Sequence, residues 1–466
     1  MMIRANAEIL RFAQDDTLFQ HGRCLQCAYM HLLYSALLAV ALVVGSPFWL
    51  LKMLRHGKYR AGLSERFGRV PSRLQLPDGP GSIWVHAVSV GEVLAIAGLV
   101  QKLRERFPDR RIFISTTTAT GQKLARSRFD EHNVFYFPLD FAFAIRPYLR
   151  ALRPSLIVVA ETEFWPNFLR LARASGAQIA IVNARISDRS LPRYYRLRAL
   201  VRRVLETVSL FLAQSDEDMR RLIAIGAQPA RCKVSGNLKF DIAPLAAPPA
   251  IVGQLRQSML VGSAGPVIVC GSTVEGEEPQ VLEAFRAVVA AVPNAVLVLA
   301  PRHPERFAQA ADMVAASGLK WWRRSQWQPS QAVSGGVFLL DSIGELGATY
   351  SLADIAFVGG SLAPRGGHNI LEPAMYGVAT IVGPHTGNFR DIVELFQRAQ
   401  AVLVAQDARE LQATILDLLS DARKRRELGD RAADLLRSQS GATERTLDEL
   451  SHLLAPQTTT MRGHEA

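Results

Sequence analysis

Two successive α/β domains, each a parallel sheet covered by helices, are what this 466-residue sequence predicts. Past Pro80, short β-branched runs alternate with helical patterns, the signature of strand-helix-strand units. The alternation breaks once, at a Pro- and Ala-rich stretch over Ile242–Gly253 that reads as a linker. The ligand crevice of an open parallel sheet lies at the carboxyl ends of its strands, so residues just after each run are the functional candidates.

The first series of expected strands is Ile83–Val88, Arg111–Thr116, Val134–Phe137, Leu156–Ala160, Ile179–Asn183, Leu210–Gln214 and Lys233–Ser235. After the break come Val267–Gly271, Val296–Ala300, Val337–Asp341, Ile355–Val358, Thr380–Val382 and Val402–Val404. Helices rich in Arg, Leu and Ala separate them, and Arg409–Leu454 reads as helical almost throughout. No G-x-G-x-x-G follows the first strand and no G-x-x-x-x-G-K-[ST] occurs, so neither dinucleotide nor Walker-type ATP binding is supported.

With 49% hydrophobic and 21% charged residues the chain suits a globular protein. Its net charge of +12 suits an anionic partner surface. Zinc-finger spacings, RNP-type aromatic motifs and sustained basic repeats are all missing, so a membrane or phosphorylated substrate is expected and nucleic acid is not. Four cysteines, Cys24, Cys27, Cys232 and Cys270, are too few for a disulfide framework and point to a reducing compartment. Cys270 lies in an apolar run and is expected to pack as a small hydrophobe.

From Tyr29 to Leu51 the chain is almost wholly apolar, and roughly 20 such residues span a bilayer core. His31, Ser35, Gly45, Ser46 and Pro47 weaken the segment and leave a tilted or monotopic helix open. Lys52, Arg55, Lys58, Arg60, Arg66 and Arg69 follow it, which by the positive-inside rule keeps the body in the cytoplasm. A single N-terminal anchor is expected.

Strand one runs into His86-Ala-Val-Ser-Val-Gly-Glu92. Glu92 sits where a helix-capping glutamate would, and equally where a general base at a strand end would. Strand four runs into Glu161-Thr-Glu163, whose carboxylates share a face only if the chain stays extended. Lys239, in Asn237-Leu-Lys-Phe-Asp241, can neutralise a phosphate or a developing charge, or simply be solvated. In the second domain, Gly271-Ser272-Thr273 and Pro301-Arg302-His303-Pro304 follow the first two strands, and an arginine there can fork onto a phosphate. The densest stretch is Gly359-Gly-Ser-Leu-Ala-Pro-Arg-Gly366-Gly367-His-Asn369-Ile370-Leu371-Glu372. A glycine-rich loop before a helix start suggests free backbone N–H groups for an anion, and Glu372 suits ribose hydroxyls. Gly383-Pro-His385-Thr-Gly-Asn388 follows the next strand. No Asp-x-Asp metal-holding pair is read at a strand end, so a reaction without metal is expected.

Taken in order, HAVSVGE, ETEFWPN, GNLKFD, APRHPERF, GELG, FVGGSLAPRGGHNILEP and GPHTGNF closely resemble the 3-deoxy-D-manno-octulosonate (Kdo) transferases of Gram-negative bacteria. The resemblance runs from about Met30 to the last helix. It implies the GT-B architecture, two Rossmann-like domains facing across a cleft, and inverting transfer of Kdo from CMP-Kdo to a lipid A precursor, lipid IVA. It further implies Glu92 as general base, with Glu161 and Lys239 assisting the transition state. CMP contacts are implied at Ser272, Pro301, Arg302, His303, Ile343, Gly344, Glu345, Gly366, Gly367, Asn369, Ile370, Leu371 and Glu372. No cofactor or metal is implied, and the inner membrane's cytoplasmic face is the implied location.

The expected layout is an extension over 1–29 that need not be native, an anchor over 30–55, an acceptor-binding domain over 56–241 and a linker over 242–261. A CMP-Kdo-binding domain over 262–425 and a C-terminal helix and tail over 426–466 complete it. Met30 is an alternative start, which the intact mass of protein from its native source would decide. A lipid A disaccharide synthase or sugar-nucleotide epimerase is the nearest rival reading, told apart by UDP rather than CMP release. A tethered nucleotide-sugar-binding protein without catalysis is the other, and in it replacing Glu92 would change nothing.

Overall fold

A computed structural model describes residues 32–46, 62–76, 79–241 and 249–455. The chain divides into two compact units, residues 1–241 with 441–466, and residues 242–440. Cys24, Cys27 and most of the basic run after the apolar segment lie outside the described residues.

Unit 1 is built on seven parallel strands: β1 (Ser82–His86), β2 (Ile112–Thr116), β3 (Val134–Tyr136), β4 (Pro154–Ala160), β5 (Gln178–Ala184), β6 (Leu210–Ala213) and β7 (Cys232–Val234). They lie in the order 3-2-1-4-5-6-7. β1, β2, β3 and β6 are buried along their whole length, as a sheet clothed on both faces requires. On one face Trp84 anchors an aromatic cluster with Phe135, Phe137, Tyr148 and Phe168 at centroid distances of 5.4, 6.2, 6.2 and 4.9 Å. Its indole N–H donates to Ser115 Oγ at 2.7 Å, so the ring is buried without an orphaned donor.

Unit 2 repeats the plan with β8 (Val267–Thr273), β9 (Val296–Pro301), β10 (Trp321–Arg323), β11 (Gly336–Leu339), β12 (Ile355–Val358), β13 (Ala379–Val382) and β14 (Leu403–Val404), in the order 10-11-9-8-12-13-14. Cys270 is buried in its core, as expected. In each sheet the strand order reverses at the centre, between β1 and β4 in unit 1 and between β8 and β12 in unit 2. Loops leaving these neighbouring strands diverge to opposite faces, which opens a crevice there.

Three expectations need correction. The stretch 250–261, read as part of a linker, is the helix Ala250–Val261, whose Ile251, Val252, Leu255 and Met259 join the unit 2 core. Its Ala- and Pro-rich flank masked an amphipathic pattern that begins just after Pro249. The edge strand β10 was not anticipated, because Trp-Trp-Arg carries little β-branched signal, yet it pairs in parallel with β11. The C-terminal region is three helices, Ala408–Ser420, Ala422–Gln439 and Ala442–Leu454, and the chain changes unit before the third.

That third helix returns to unit 1. Ala442, Leu447 and Leu450 are buried in the unit 1 core. Asp241, the last described residue of the first segment, accepts the N–H groups of Gly441 (2.6 Å) and Thr443 at the helix start. Gly441 makes the turn at φ +89°, a conformation that favours glycine.

Residues 32–46 form a helix. Asn167 Nδ2 donates to its Ser35 Oγ at 2.9 Å, and Tyr34 hydrogen-bonds to Asp140. Asp140 in turn accepts the N–H groups of Asn167 (3.1 Å) and Phe168 (2.7 Å), capping the helix Pro166–Ala174. Leu33, Leu37, Val40, Val43 and Val44 remain exposed. Among the described residues no helix is long and apolar enough to cross a membrane.

Because Leu450 is fully buried in unit 1 although it follows unit 2 in sequence, Leu450→Ala should destabilise unit 1 by about 2–5 kcal/mol. Hydrogen exchange under mild urea should show this as faster exchange in β1, β4 and β5, with unit 2 core amides unchanged.

Candidate active site

In unit 1 the crevice between β1 and β4 collects three carboxyl groups and a lysine. Ser89 caps the helix Val90–Ala95, accepting the Glu92 N–H at 3.4 Å, and Glu92 stands at the third helical position, where a capping glutamate would. Ser89 Oγ–H donates to Glu92 Oε1 at 2.8 Å, and the Val88 N–H donates to Oε2 at 2.7 Å. The capping reading of Glu92 is therefore realised, but the group is also buried, which an ordinary cap is not. Burial pushes its carboxyl from 4.5 to about 7, against the lowering effect of the Val88 and Ser89 hydrogen bonds and with smaller upward contributions from Glu161 and Glu163. A half-ionised carboxyl near neutral pH suits a general base.

Glu161 leaves β4 in the left-handed region at φ +56°. The chain therefore turns at once, and Glu161 and Glu163 do not sit on one extended face. Glu163 is half-buried and raised, chiefly by burial and then by Glu161. Lys239 Nζ lies 3.3 Å from Glu161 Oε1 in a partly exposed pair. Its loop is held by Asn183, whose Oδ1 accepts the Leu238 N–H at 3.0 Å. Asn183 itself has φ +54°, which asparagine tolerates better than most residues. His86 is fully buried, stacked on Phe137 at 3.9 Å, and lowered to about 3 by desolvation, so it stays neutral.

An Asp-x-Asp does follow a strand, contrary to expectation: Asp216-Glu-Asp218, after β6. It forms the first turn of the helix Asp216–Ile225, and Asp218 is engaged by Ser215 (2.6 Å) and the Ile186 N–H (3.1 Å). Among the described residues no cluster of three metal-binding side chains occurs.

In unit 2 the strand-end loops converge on Arg302, His368, Asn369 and Glu372. Ser272, the penultimate residue of β8, has φ +57°, and the Arg302 N–H donates to Thr273 O at 2.9 Å, tying the β9 loop to the β8 end. Pro301 is buried, whereas Arg302 and His303 are exposed. Burial, Arg302 and His303 together lower His368 to about 4. Burial raises Glu372, opposed by the Asn369 amide (3.4 Å) and the Arg302 charge. Asn369 Oδ1 also accepts the Leu371 N–H at 3.2 Å, starting the short helix Leu371–Ala374 after Ile370. A Cβ on Gly347 would stand 3.6 Å from Glu372, so the short helix Leu346–Thr349, which ends the loop after β11, borders the same group. In that loop Ile343 is exposed and Gly344 has φ +85°, while the Glu345 carboxylate is engaged by Arg324 at 2.9 and 3.0 Å and by Ser342. Gly366 and Gly367 both have positive φ; Gly366 packs against Asn388 and Gly367 against His385 and Thr386, and the Asn388 amide donates to Arg365 O and Gly367 O.

The glycine-rich loop departs from expectation. The N–H groups of Gly360, Ser361, Leu362 and Ala363 are not free for an anion: all four donate to the carboxylate of Glu277. Sequence reasoning missed Glu277 and its neighbour Glu278. Their context, Glu-Gly-Glu-Glu-Pro, reads as a solvated helix start, yet both are fully buried.

A testable consequence attaches to Glu92. A carboxyl raised in the folded state binds its proton more tightly there than when unfolded, so folding stability falls as pH rises from about 4.5 to about 7 and is level above that. In Glu92→Gln that fall should flatten, which urea unfolding across pH 4 to 8 will show.

Comparison with known proteins agrees with the geometry. A family model described as "3-Deoxy-D-manno-octulosonic-acid transferase (kdotransferase)" matches residues 61–242. The 3-deoxy-D-manno-octulosonic acid transferase of Haemophilus influenzae is 35% identical over 90% of this chain and 98% of its own. That of Bordetella pertussis is 38% identical over 87% and 95%. A UDP-GlcNAc 2-epimerase from Neisseria meningitidis, 12% identical, covers 80% of this chain and 100% of its own with a TM-score of 0.51, which shows a shared fold. On these relationships the chain belongs to the 3-deoxy-D-manno-octulosonic acid transferase family, glycosyltransferases of lipopolysaccharide synthesis.

Proposed function

We propose that this chain, with GT-B architecture, transfers Kdo from CMP-Kdo to a hydroxyl of the lipid A precursor lipid IVA, with inversion and without a metal. The observation that carries the reading is the Glu92 carboxyl, buried at the unit 1 switch point and raised to about 7. In this mechanism Glu92 takes the proton of the acceptor hydroxyl as its oxygen attacks the anomeric carbon of Kdo. The bond from that carbon to the phosphate oxygen breaks, and CMP leaves with the electron pair. Glu161 and Lys239 steady the charge that develops.

Unit 2 is proposed to hold the donor. Arg302 and the loop Gly366–Asn369 receive the phosphate and Glu372 the ribose hydroxyls, while Ser272, Pro301, His303, Ile343, Gly344, Glu345, Ile370 and Leu371 complete the binding set. The convergence of Arg302, Asn369 and Glu372 supports this reading. The proposed place is the cytoplasmic face of the inner membrane, held by one N-terminal anchor. The exposed leucines and valines of residues 32–46 support it. So do exposed Arg193, Arg196, Arg198 and Arg202, interleaved with exposed Tyr195, Leu197 and Leu200 on the helices Leu191–Arg196 and Arg198–Leu205.

The test is CMP release and product mass with a tetra-acylated lipid A precursor in EDTA, comparing wild type with Glu92→Gln. Wild type should turn over, with a rate that rises through about pH 7 as Glu92 ionises. The variant should lose about 10²-fold or more in kcat. An inactive, folded wild type would redirect the search to UDP-sugars, and a fully active variant would remove Glu92 from the mechanism.

A further inference from the structure

Where the loop after β8 enters the helix Glu278–Ala291 stand two adjacent, fully buried glutamates outside the proposed chemistry, Glu277 at the cap and Glu278 in the first turn. Glu277 Oε1 accepts the N–H groups of Ser361 (2.9 Å), Leu362 (2.9 Å) and Ala363 (3.2 Å). Its Oε2 accepts those of Gly360 (2.7 Å) and Val274 (3.0 Å). Four consecutive backbone donors turned toward one point form the concave nest that commonly receives a phosphate. In this chain a side-chain carboxylate fills it. The fit is close enough to need glycine at 359, where a Cβ would stand 2.8 Å from Glu277 Oε2 and 2.7 Å from the Thr273 backbone.

Glu278 has other partners. Arg306 donates to it through both guanidinium ends, at 2.7 and 3.1 Å, and the Thr273 hydroxyl donates at 3.2 Å. One dipeptide is thus fastened both to the loop that begins at Gly359 and to the loop that carries Arg302 and His303.

We propose that Glu277 is a positioning residue for donor binding. Its carboxylate takes the place of a phosphate in the nest of 360–363 and holds that loop in its receiving form before any nucleotide arrives. The nucleotide phosphate is left to Arg302 and residues 366–369, and the ordering that binding would otherwise require is already done. The inference rests on the reading of unit 2 as the CMP-Kdo-binding unit.

Calorimetric titration with CMP, together with kcat and KM for CMP-Kdo, tests it on the full chain as wild type, Glu277→Gln and Glu277→Asp. The Gln side chain presents an NH₂ to backbone donors, so CMP affinity should fall and KM rise by about tenfold or more, with kcat at saturating donor within about twofold. The Asp variant keeps the charge with a shorter reach and should fall between. Folded Glu277→Gln with wild-type CMP affinity and KM overturns the proposal, as does a loss confined to kcat. If only the Asp variant folds, an unchanged KM in it overturns the proposal equally. Wild type that binds no CMP strikes instead at the reading of unit 2.

Discussion

A carboxylate removed from water must be met by donors, and in this chain that demand shapes the loops at the strand ends. Glu277 draws five backbone N–H groups to itself, Glu278 takes a bidentate arginine, and Asp140 caps the helix that follows β4. Each such group left unmatched would cost several kcal/mol. The surrounding backbone has accordingly adopted forms that bring donors inward, at glycine positions where close approach requires it. The parallel sheets supply the rigid frame, and the buried acids decide how the chain leaves it.

Glu92 shows the same demand met only in part. Two hydrogen bonds reach it, fewer than Glu277 receives, and its other carboxyl neighbours are repulsive. Burial, only partly offset by these two bonds, lifts its carboxyl to about 7, so its proton is retained toward neutral pH. These two buried acids thus differ in how many donors the backbone turns toward them: five N–H groups for Glu277, and one for Glu92 with the Ser89 hydroxyl beside it.

The strand series was legible from β-branched runs because a sheet buried on both faces admits little else, and the motifs lie at or just beyond the carboxyl ends of β1, β4, β8, β9 and β12. Glu92 was visible through the Ser-x-x-Glu capping spacing, although its burial was not. Glu277 escaped notice because an acidic run before proline looks solvated, and nothing local says that a loop more than 80 residues later will cover it. β10 escaped because edge pairing needs little side-chain pattern, and the helix from Ala250 because its start abuts a Pro- and Ala-rich tract. The positive φ of Glu161 and Ser272 has no composition signal, since glycine marks such positions and these residues do not, and the asparagine at 183 carries only a weak one.

The return of the helix Ala442–Leu454 to unit 1 bears on how the protein is made. The ribosome delivers the chain from its N-terminus, so all seven strands of unit 1 emerge before this helix exists. At about 5–20 residues per second, synthesis of the intervening 200 or so residues takes on the order of 10–40 s. Through that interval the apolar surface that will receive Ala442, Leu447 and Leu450 stands uncovered, while unit 2, continuous in sequence, is free to finish folding first. Birth order and completion order are therefore reversed, and the nascent first unit is where a chaperone would find its exposed surface.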